Sequence, residues 1–174
     1  MGGYMKPKLF LIDGTALLYR AYFAFIKNPL VNSKGQNTSA VYGVVNSFMA
    51  ILDKMQAEHI AIAFDRKAPT FRHADYQAYK ANRPPMPDDM QSQVSLVADF
   101  FIQIGVPELG KDGYEADDAL GTMGEAFKDR YTIVYVTSDK DYCQLIDADA
   151  FLYDPMKDVM LDSDAVYQKY GVRA

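Results

Sequence analysis

Three carboxylates fall within four positions of the stretch "GYEADD", namely Glu115, Asp117 and Asp118. Four more aspartates, Asp13, Asp65, Asp139 and Asp141, follow closely on the apolar runs "LFLI", "IAIAF" and "TIVYVT". Singly, each has an ordinary explanation. Asp13 before Gly14 suits a turn, Asp139 suits a helix N-cap, and acids in a first helical turn favour the helix dipole by roughly 0.3–1 kcal/mol each. As a group they do not, because two unit charges about 4 Å apart at an effective dielectric of about 20 repel by roughly 4 kcal/mol. Divalent cations resolve that repulsion. No Cys/His cluster at zinc spacing exists, so ligation by oxygen alone points to magnesium or manganese rather than zinc. Two such ions about 3.5–4 Å apart are the arrangement used for phosphodiester cleavage.

The elements that must position these acids alternate strand and helix. Leu9 to Ile12 reads as a buried strand, Thr15 to Phe25 as a helix, and about Thr38 to Met55 as a longer helix with Thr38 or Ser39 as N-cap. Ile60 to Phe64 is a second strand, Asp88 to Ile104 a helix, and Val106-Pro107 a short extended piece leading to "GYEADD". The helix opened there carries Ala116, Ala119, Leu120, Met123 and Phe127 at core spacing, which leaves Glu115, Asp117 and Asp118 off the apolar stripe. Thr132 to Thr137 is a further strand, followed by a short helix, a hairpin around "FLYDPMKDVML", and a last helix capped by Asp162 or Ser163. Such alternation predicts an α/β fold of three layers, a mainly parallel sheet with helices on both faces. Open sheets of this kind place their sites at the carboxyl ends of the strands, where all seven acids then gather.

At 174 residues with 49% hydrophobic content, the chain suits one domain with a sizeable core. Cys143 is the single cysteine, which excludes an intramolecular disulfide framework and predicts a reducing, cytoplasmic setting. The first apolar run is too short for a signal-peptide core or a membrane span, so no membrane partner is expected. Met1 to Tyr4, ahead of the second methionine Met5, carry no weight. The net charge of −5 conceals an asymmetry: residues 1–83 hold eleven Lys/Arg against five Asp/Glu, and residues 84–174 hold seven against eighteen. Without the seven acids the total becomes +2, so a low isoelectric point does not exclude nucleic acid.

Arg72, Tyr76, Tyr79, Lys80 and Arg83 are spaced i, i+4, i+7, i+8 and i+11, which places them on one face of an expected helix, with Ala74, Ala78 and Ala81 on another. Cations interleaved with aromatic rings suit single-stranded nucleic acid, the cations for phosphates and the rings for bases. A solvated amphipathic helix with tyrosines on the core is the plainer alternative. Pro84-Pro85 ends the helix and Pro87 extends the break.

The blocks "FLIDGTALLYRAYFA", "AVYGVVNSF", "AFDRKAPTFRHADYQAYKANRPPMPDD", "GYEADDALGTM" and "VTSDKDYCQLI" together resemble the flap endonuclease family, in particular the 5′-nuclease (5′-3′ exonuclease) domains of bacterial DNA polymerases I. The resemblance runs in collinear order over nearly the whole chain. It implies a PIN-like, resolvase-like fold and a divalent-metal-dependent 5′-3′ exonuclease or flap endonuclease acting in DNA replication and repair. It also implies that Asp13, Asp65, Glu115, Asp117, Asp118, Asp139 and Asp141 hold two magnesium ions. Lys80 and Arg83 would belong to a helical gateway over the site, contacting the scissile phosphate and the 5′ strand of DNA with a 5′ flap or a 5′ single-stranded end; Arg20, Arg72, Tyr76 and Tyr79 are further candidates for contact with that DNA. Family members continue past the point matching "YQKYGVRA" into a helix-three-turn-helix element that grips duplex DNA and into two more metal-binding aspartates. Residues 1–174 are therefore expected to be a truncated N-terminal 5′-3′ exonuclease domain, followed in the parent protein by the remaining nuclease and polymerase domains, and weak or inactive alone.

Two other classes remain open on the residues. "LFLIDGT" has the look of the first motif of haloacid-dehalogenase-type phosphatases, but the nucleophile position is Leu11, which has no nucleophilic atom. A non-catalytic nucleic-acid- or protein-binding module on a nuclease fold is the second.

Overall fold

The computed structural model describes residues 6–172 other than Lys67, Gln77 and Arg83. Strand β1 (Lys8–Asp13) lies at the centre of a six-stranded sheet. It is buried on both faces, which is why its sequence is almost continuously apolar. Successive side chains alternate between two cores: Phe10 and Ile12 point into one, Leu9 and Leu11 into the other. The first core is closed by helices α1 (Gly14–Ala24) and α2 (Ser39–Met55), together with α4 (Asp88–Gln103), which follows the short α3 (Phe71–Asp75). The second is closed by α5 (Ala116–Phe127), a 3₁₀ helix (Lys140–Leu145) and α6 (Ser163–Tyr170). The expected three-layer α/β architecture is thus borne out.

The sheet also contains β2 (His59–Ala63), β3 (Glu108–Leu109), β4 (Thr132–Val136), β5 (Ala150–Asp154) and β6 (Val159–Leu161), in the order β3-β2-β1-β4-β5-β6. All neighbours are parallel except β5 and β6, the expected hairpin. From β1 the chain first builds outward through β2 and β3, then returns to the other side through β4 and β5. The order reverses between β1 and β4, and a crevice opens at the carboxyl ends of strands at such a point. Asp13 ends β1 and Asp139 follows β4, so both stand at that crevice.

One local expectation holds in position only, and another needs correction. Thr38 occupies the N-cap position of α2 but makes no capping bond with its side chain; its hydroxyl donates to the Leu30 carbonyl. The cap comes from α4, where the fully buried Gln93 accepts from the amides of Ala40 at 2.9 Å and Val41 at 3.3 Å. The expected helix from Arg72 to Arg83 is also absent as such. The helix α3 ends at Asp75, Tyr76 is extended, turns follow, and Lys80 has a left-handed φ of 56°. Arg72, Tyr76, Tyr79 and Lys80 therefore do not share one helix face, and Arg83 lies outside the described residues. The physical reason lies in what this segment binds, described next.

Candidate metal centre and nucleic-acid interface

Backbone amides near the strand ends fix the aspartates by one oxygen each. Asp13 Oδ1 accepts from Ala16 N at 2.9 Å, capping α1, and its Oδ2 accepts from the Thr137 hydroxyl at 3.1 Å, so β1 and β4 meet at this carboxylate. Asp139 Oδ1 accepts from Asp141 N at 3.0 Å. Asp65 Oδ1 accepts from Ala116 N at 2.9 Å, which ties the end of β2 to the start of α5. The capping roles foreseen for single acids are real, and they orient rather than replace the cluster. Gly14, directly after Asp13, is required by a close approach, since a Cβ there would overlap the Phe64 ring.

One cavity of about 600 Å³ is lined by Asp13, Asp65, Glu115, Asp117, Asp139 and Asp141, together with Tyr79 and Lys80. Six of the seven acids are thus brought together. Asp118 borders a smaller neighbouring cavity of about 330 Å³, which shares Asp117 and Asp141 with the larger one and has Arg72 on its wall.

Glu115 and Asp118 are occupied by the basic segment above them. Arg72 forms a two-pronged ion pair with Asp118, with both nitrogen–oxygen distances at 2.7 Å, and reaches Glu115 at 3.5 Å. Lys80 Nζ donates to Glu115 Oε1 at 2.7 Å and the Tyr79 hydroxyl donates to Glu115 Oε2 at 3.0 Å. These charge-assisted bonds explain why the segment is not one helix. A long helix would gain only tenths of a kcal/mol per residue from propensity, whereas a hydrogen bond to a charged group contributes about 1.5–3 kcal/mol. The chain bends at Tyr76 and Lys80 to make them.

The electrostatics follow the same division. Burial pushes Asp13 up from 3.8 to about 6, against the lowering effect of Ala16 and Thr137, and Asp65 and Asp139 add to the rise. Asp117 is also raised, by burial first and then by Asp118 and Glu115. Asp118 is held below the ordinary range by its bond to Arg72. The donor set is oxygen alone, which fits a hard divalent cation. As the side chains stand, however, no three acidic, histidine or cysteine groups among the described residues are close enough together to hold one ion. Closing the set on an ion requires release of Glu115 and Asp118 from their ion pairs or rotation of the strand-end aspartates.

The remaining expected nucleic-acid residues are more dispersed. Arg20 borders a cavity of about 670 Å³ that adjoins the acid cavity, sharing Ala16, Tyr19, Phe23 and Asp139 with it, and faces Asp154 at 3.9 Å. Tyr76 is exposed and lines neither acid cavity. Spacing alone does not single out Tyr19 and Tyr142, which line the larger and the smaller acid cavity. Tyr19 shares a helix face with core residues, and Tyr142 lies in a 3₁₀ helix whose period differs from that of an α-helix.

The sequence model of the family described as 5′-3′ exonuclease, N-terminal resolvase-like domain, matches residues 8–171. The chain belongs to this 5′-3′ exonuclease family. DNA polymerase I of Pseudomonas aeruginosa is 42% identical over 169 residues, covering 96% of the chain and 18% of the polymerase. The 5′-3′ exonuclease of Buchnera aphidicola is 36% identical over 163 residues, covering 93% of the chain and 53% of that protein. The chain therefore spans about a fifth of the polymerase and about half of the exonuclease. Among solved structures, a bacteriophage T5 flap endonuclease in a complex with DNA and metal ions aligns with a TM-score of 0.72 at 17% identity, covering 95% of the chain and 61% of the endonuclease. That likeness shows the fold, a PIN-like one. No helix among the described residues of this 5′-3′ exonuclease domain is long and apolar enough to cross a membrane.

Proposed function

We propose that this chain is the metal-holding part of a 5′-3′ exonuclease and flap endonuclease that hydrolyses phosphodiester bonds in DNA. The observation that carries the proposal is the single cavity at the strand-order reversal, walled by six carboxylates and roofed by Tyr79 and Lys80. Asp13, Asp65, Glu115, Asp117, Asp118, Asp139 and Asp141 would hold two magnesium ions, or manganese in their place. Bound there, the ions supply Lewis-acid stabilisation of the phosphate and a water of lowered pKa. Lys80 and Arg72, now paired with Glu115 and Asp118, present cations that exchange a carboxylate for a DNA phosphate when the strand enters. Lys80 and Arg83 are assigned to the scissile phosphate, and Arg20, Arg72, Tyr76 and Tyr79 to the flanking 5′ strand. The same reading makes residues 1–174 a PIN-like domain of a longer, cytoplasmic DNA polymerase I-like protein, whose further nuclease segments grip the duplex.

Single-turnover cleavage of a 5′-flap DNA tests this, with magnesium, with manganese and with chelator, using the chain alone and the chain extended through the segments its relatives carry. The extended protein is expected to cleave only with metal, and the chain alone far more slowly. Cleavage that persists in chelator, or an extended protein that binds manganese yet leaves flaps intact, overturns the proposal.

A further inference from the structure

A further cavity, of about 340 Å³, adjoins the roof and is lined in part by Arg66, Thr70, His73 and Tyr114. It shares Asp65, Lys80 and Glu115 with the acid cavity, so the 2.7 Å ion pair between Lys80 and Glu115 stands on the border between the two. Tyr114 is also half of a surface aromatic pair. Its ring and that of Phe71 have centroids 5.6 Å apart at a tilt of 52°, and the two residues remain 43% and 44% exposed. Backbone bonds hold the rings side by side: Phe71 N donates to the Gly113 carbonyl at 3.0 Å, and Tyr114 N to the Lys111 carbonyl at 3.1 Å. The start of α3 is thereby tied to the turn that precedes α5.

Each ring carries a cation. The Arg72 guanidinium lies 4.7 Å from the Phe71 centroid and the Lys111 ammonium 5.4 Å from that of Tyr114. Arg66, on the cavity wall, pairs with Glu108 at 3.2 Å. The core of a protein-docking patch is depleted of charge, whereas exposed rings with cations beside them suit single-stranded nucleic acid. We infer that Phe71 and Tyr114 form a stacking platform for the 5′ single strand after it has passed beneath Tyr79 and Lys80, with Arg66 and Lys111 taking its phosphates. The inference rests on the nuclease reading above and extends it to bases farther toward the 5′ end than the phosphate being cleaved. Passage opens the Lys80–Glu115 pair, the same exchange of carboxylate for phosphate already assigned to Lys80. Every base has a face that can stack, so the platform responds to the length of the flap and not to its sequence.

The test uses 5′-flap DNA carrying the fluorescent base 2-aminopurine at successive flap positions, bound to the extended protein with calcium in place of magnesium. Fluorescence should be quenched at flap bases beyond the scissile phosphate. Tyr114→Leu should abolish that quenching and weaken binding of long flaps by about tenfold, leaving flaps of a single nucleotide unaffected. Tyr114→Phe, which keeps the ring, should retain both. Quenching unchanged in Tyr114→Leu, or equal weakening for long and short flaps, overturns the inference, as does a parent that cleaves flaps without quenching any flap base; each leaves the nuclease reading intact. If Tyr114→Leu does not fold, Lys111→Ala decides: the slope of log affinity against log salt should fall by roughly 0.7 for long flaps alone, and an unchanged slope overturns the inference. A parent that neither binds nor cleaves flaps overturns the nuclease reading and this inference with it.

Discussion

The strand-end aspartates and the basic segment over them are held in opposite ways. Asp13, Asp65 and Asp139 are anchored by backbone amides of α1, α5 and the 3₁₀ helix. The segment from Arg72 to Lys80 has only a five-residue helix of its own and takes its shape from Asp118 and Glu115. The strand-end acids are each bonded to a helix start, whereas the roof is docked by acids of the floor. Such an arrangement can hold metal ligands in place while letting cationic side chains exchange partners.

The largest expected effect comes from breaking the floor. On the proposed metal reading, Asp13→Asn should weaken manganese binding more than any other change considered below, while Asn still offers an oxygen to Ala16 N. Between 3.8 and about 6 the folded protein retains a proton that the unfolded chain has released, so the parent's stability falls as pH rises through that window. The variant should lack this fall, and its metal-free form should be more stable at neutral pH by on the order of 2–3 kcal/mol. Urea denaturation from pH 4 to 8 measures it. A variant less stable than the parent at every pH would make Asp13 a structural cap.

Breaking the roof should act more weakly and in the other direction on metal. Arg72→Ala removes the paired bonds to Asp118 and should cost about 1–2 kcal/mol of stability. It should also speed proteolysis between residues 71 and 81. Because Asp118 is released while Lys80 and Tyr79 still hold Glu115, manganese affinity should rise by up to about tenfold, as expected for relief of a competing interaction of about 1.4 kcal/mol. Equal or weaker metal affinity would show that Arg72 orients Asp118 for the ion rather than competing with it.

Lys80→Ala sharpens the comparison on the substrate side. Single-strand affinity should fall about equally across sequences, and the slope of log affinity against log salt should decrease by roughly 0.7. A changed base preference with the same slope would contradict a phosphate contact. The smallest effect on the fold is expected at the exposed Tyr76, where alanine should alter stability by no more than about 0.5 kcal/mol. If its ring stacks on a base, single-strand affinity should nevertheless fall by about 1 kcal/mol or more. Unchanged affinity would place Tyr76 outside the DNA path.

By itself, the sequence is enough for the three-layer class and for six of the seven acids, which line one cavity at the sheet edge, with Asp118 lying on the neighbouring one. Buried parallel strands must be apolar runs, and the polar residue ending such a run marks the carboxyl edge. It did not disclose that Asp65, on one side of β1, would cap α5 through Ala116, because that bond spans 51 residues and depends on strand order. The Gln93 cap on α2 was hidden for the same reason. The clearest failure is the expected Arg72–Arg83 helix face. Its 3.6-residue spacing was present, but helical preference is a sum of tenths of a kcal/mol per residue, whereas Asp118 and Glu115 offer Arg72, Tyr79 and Lys80 charged partners worth several times more. Only the tertiary structure, by bringing those carboxylates under the segment, could decide between the two.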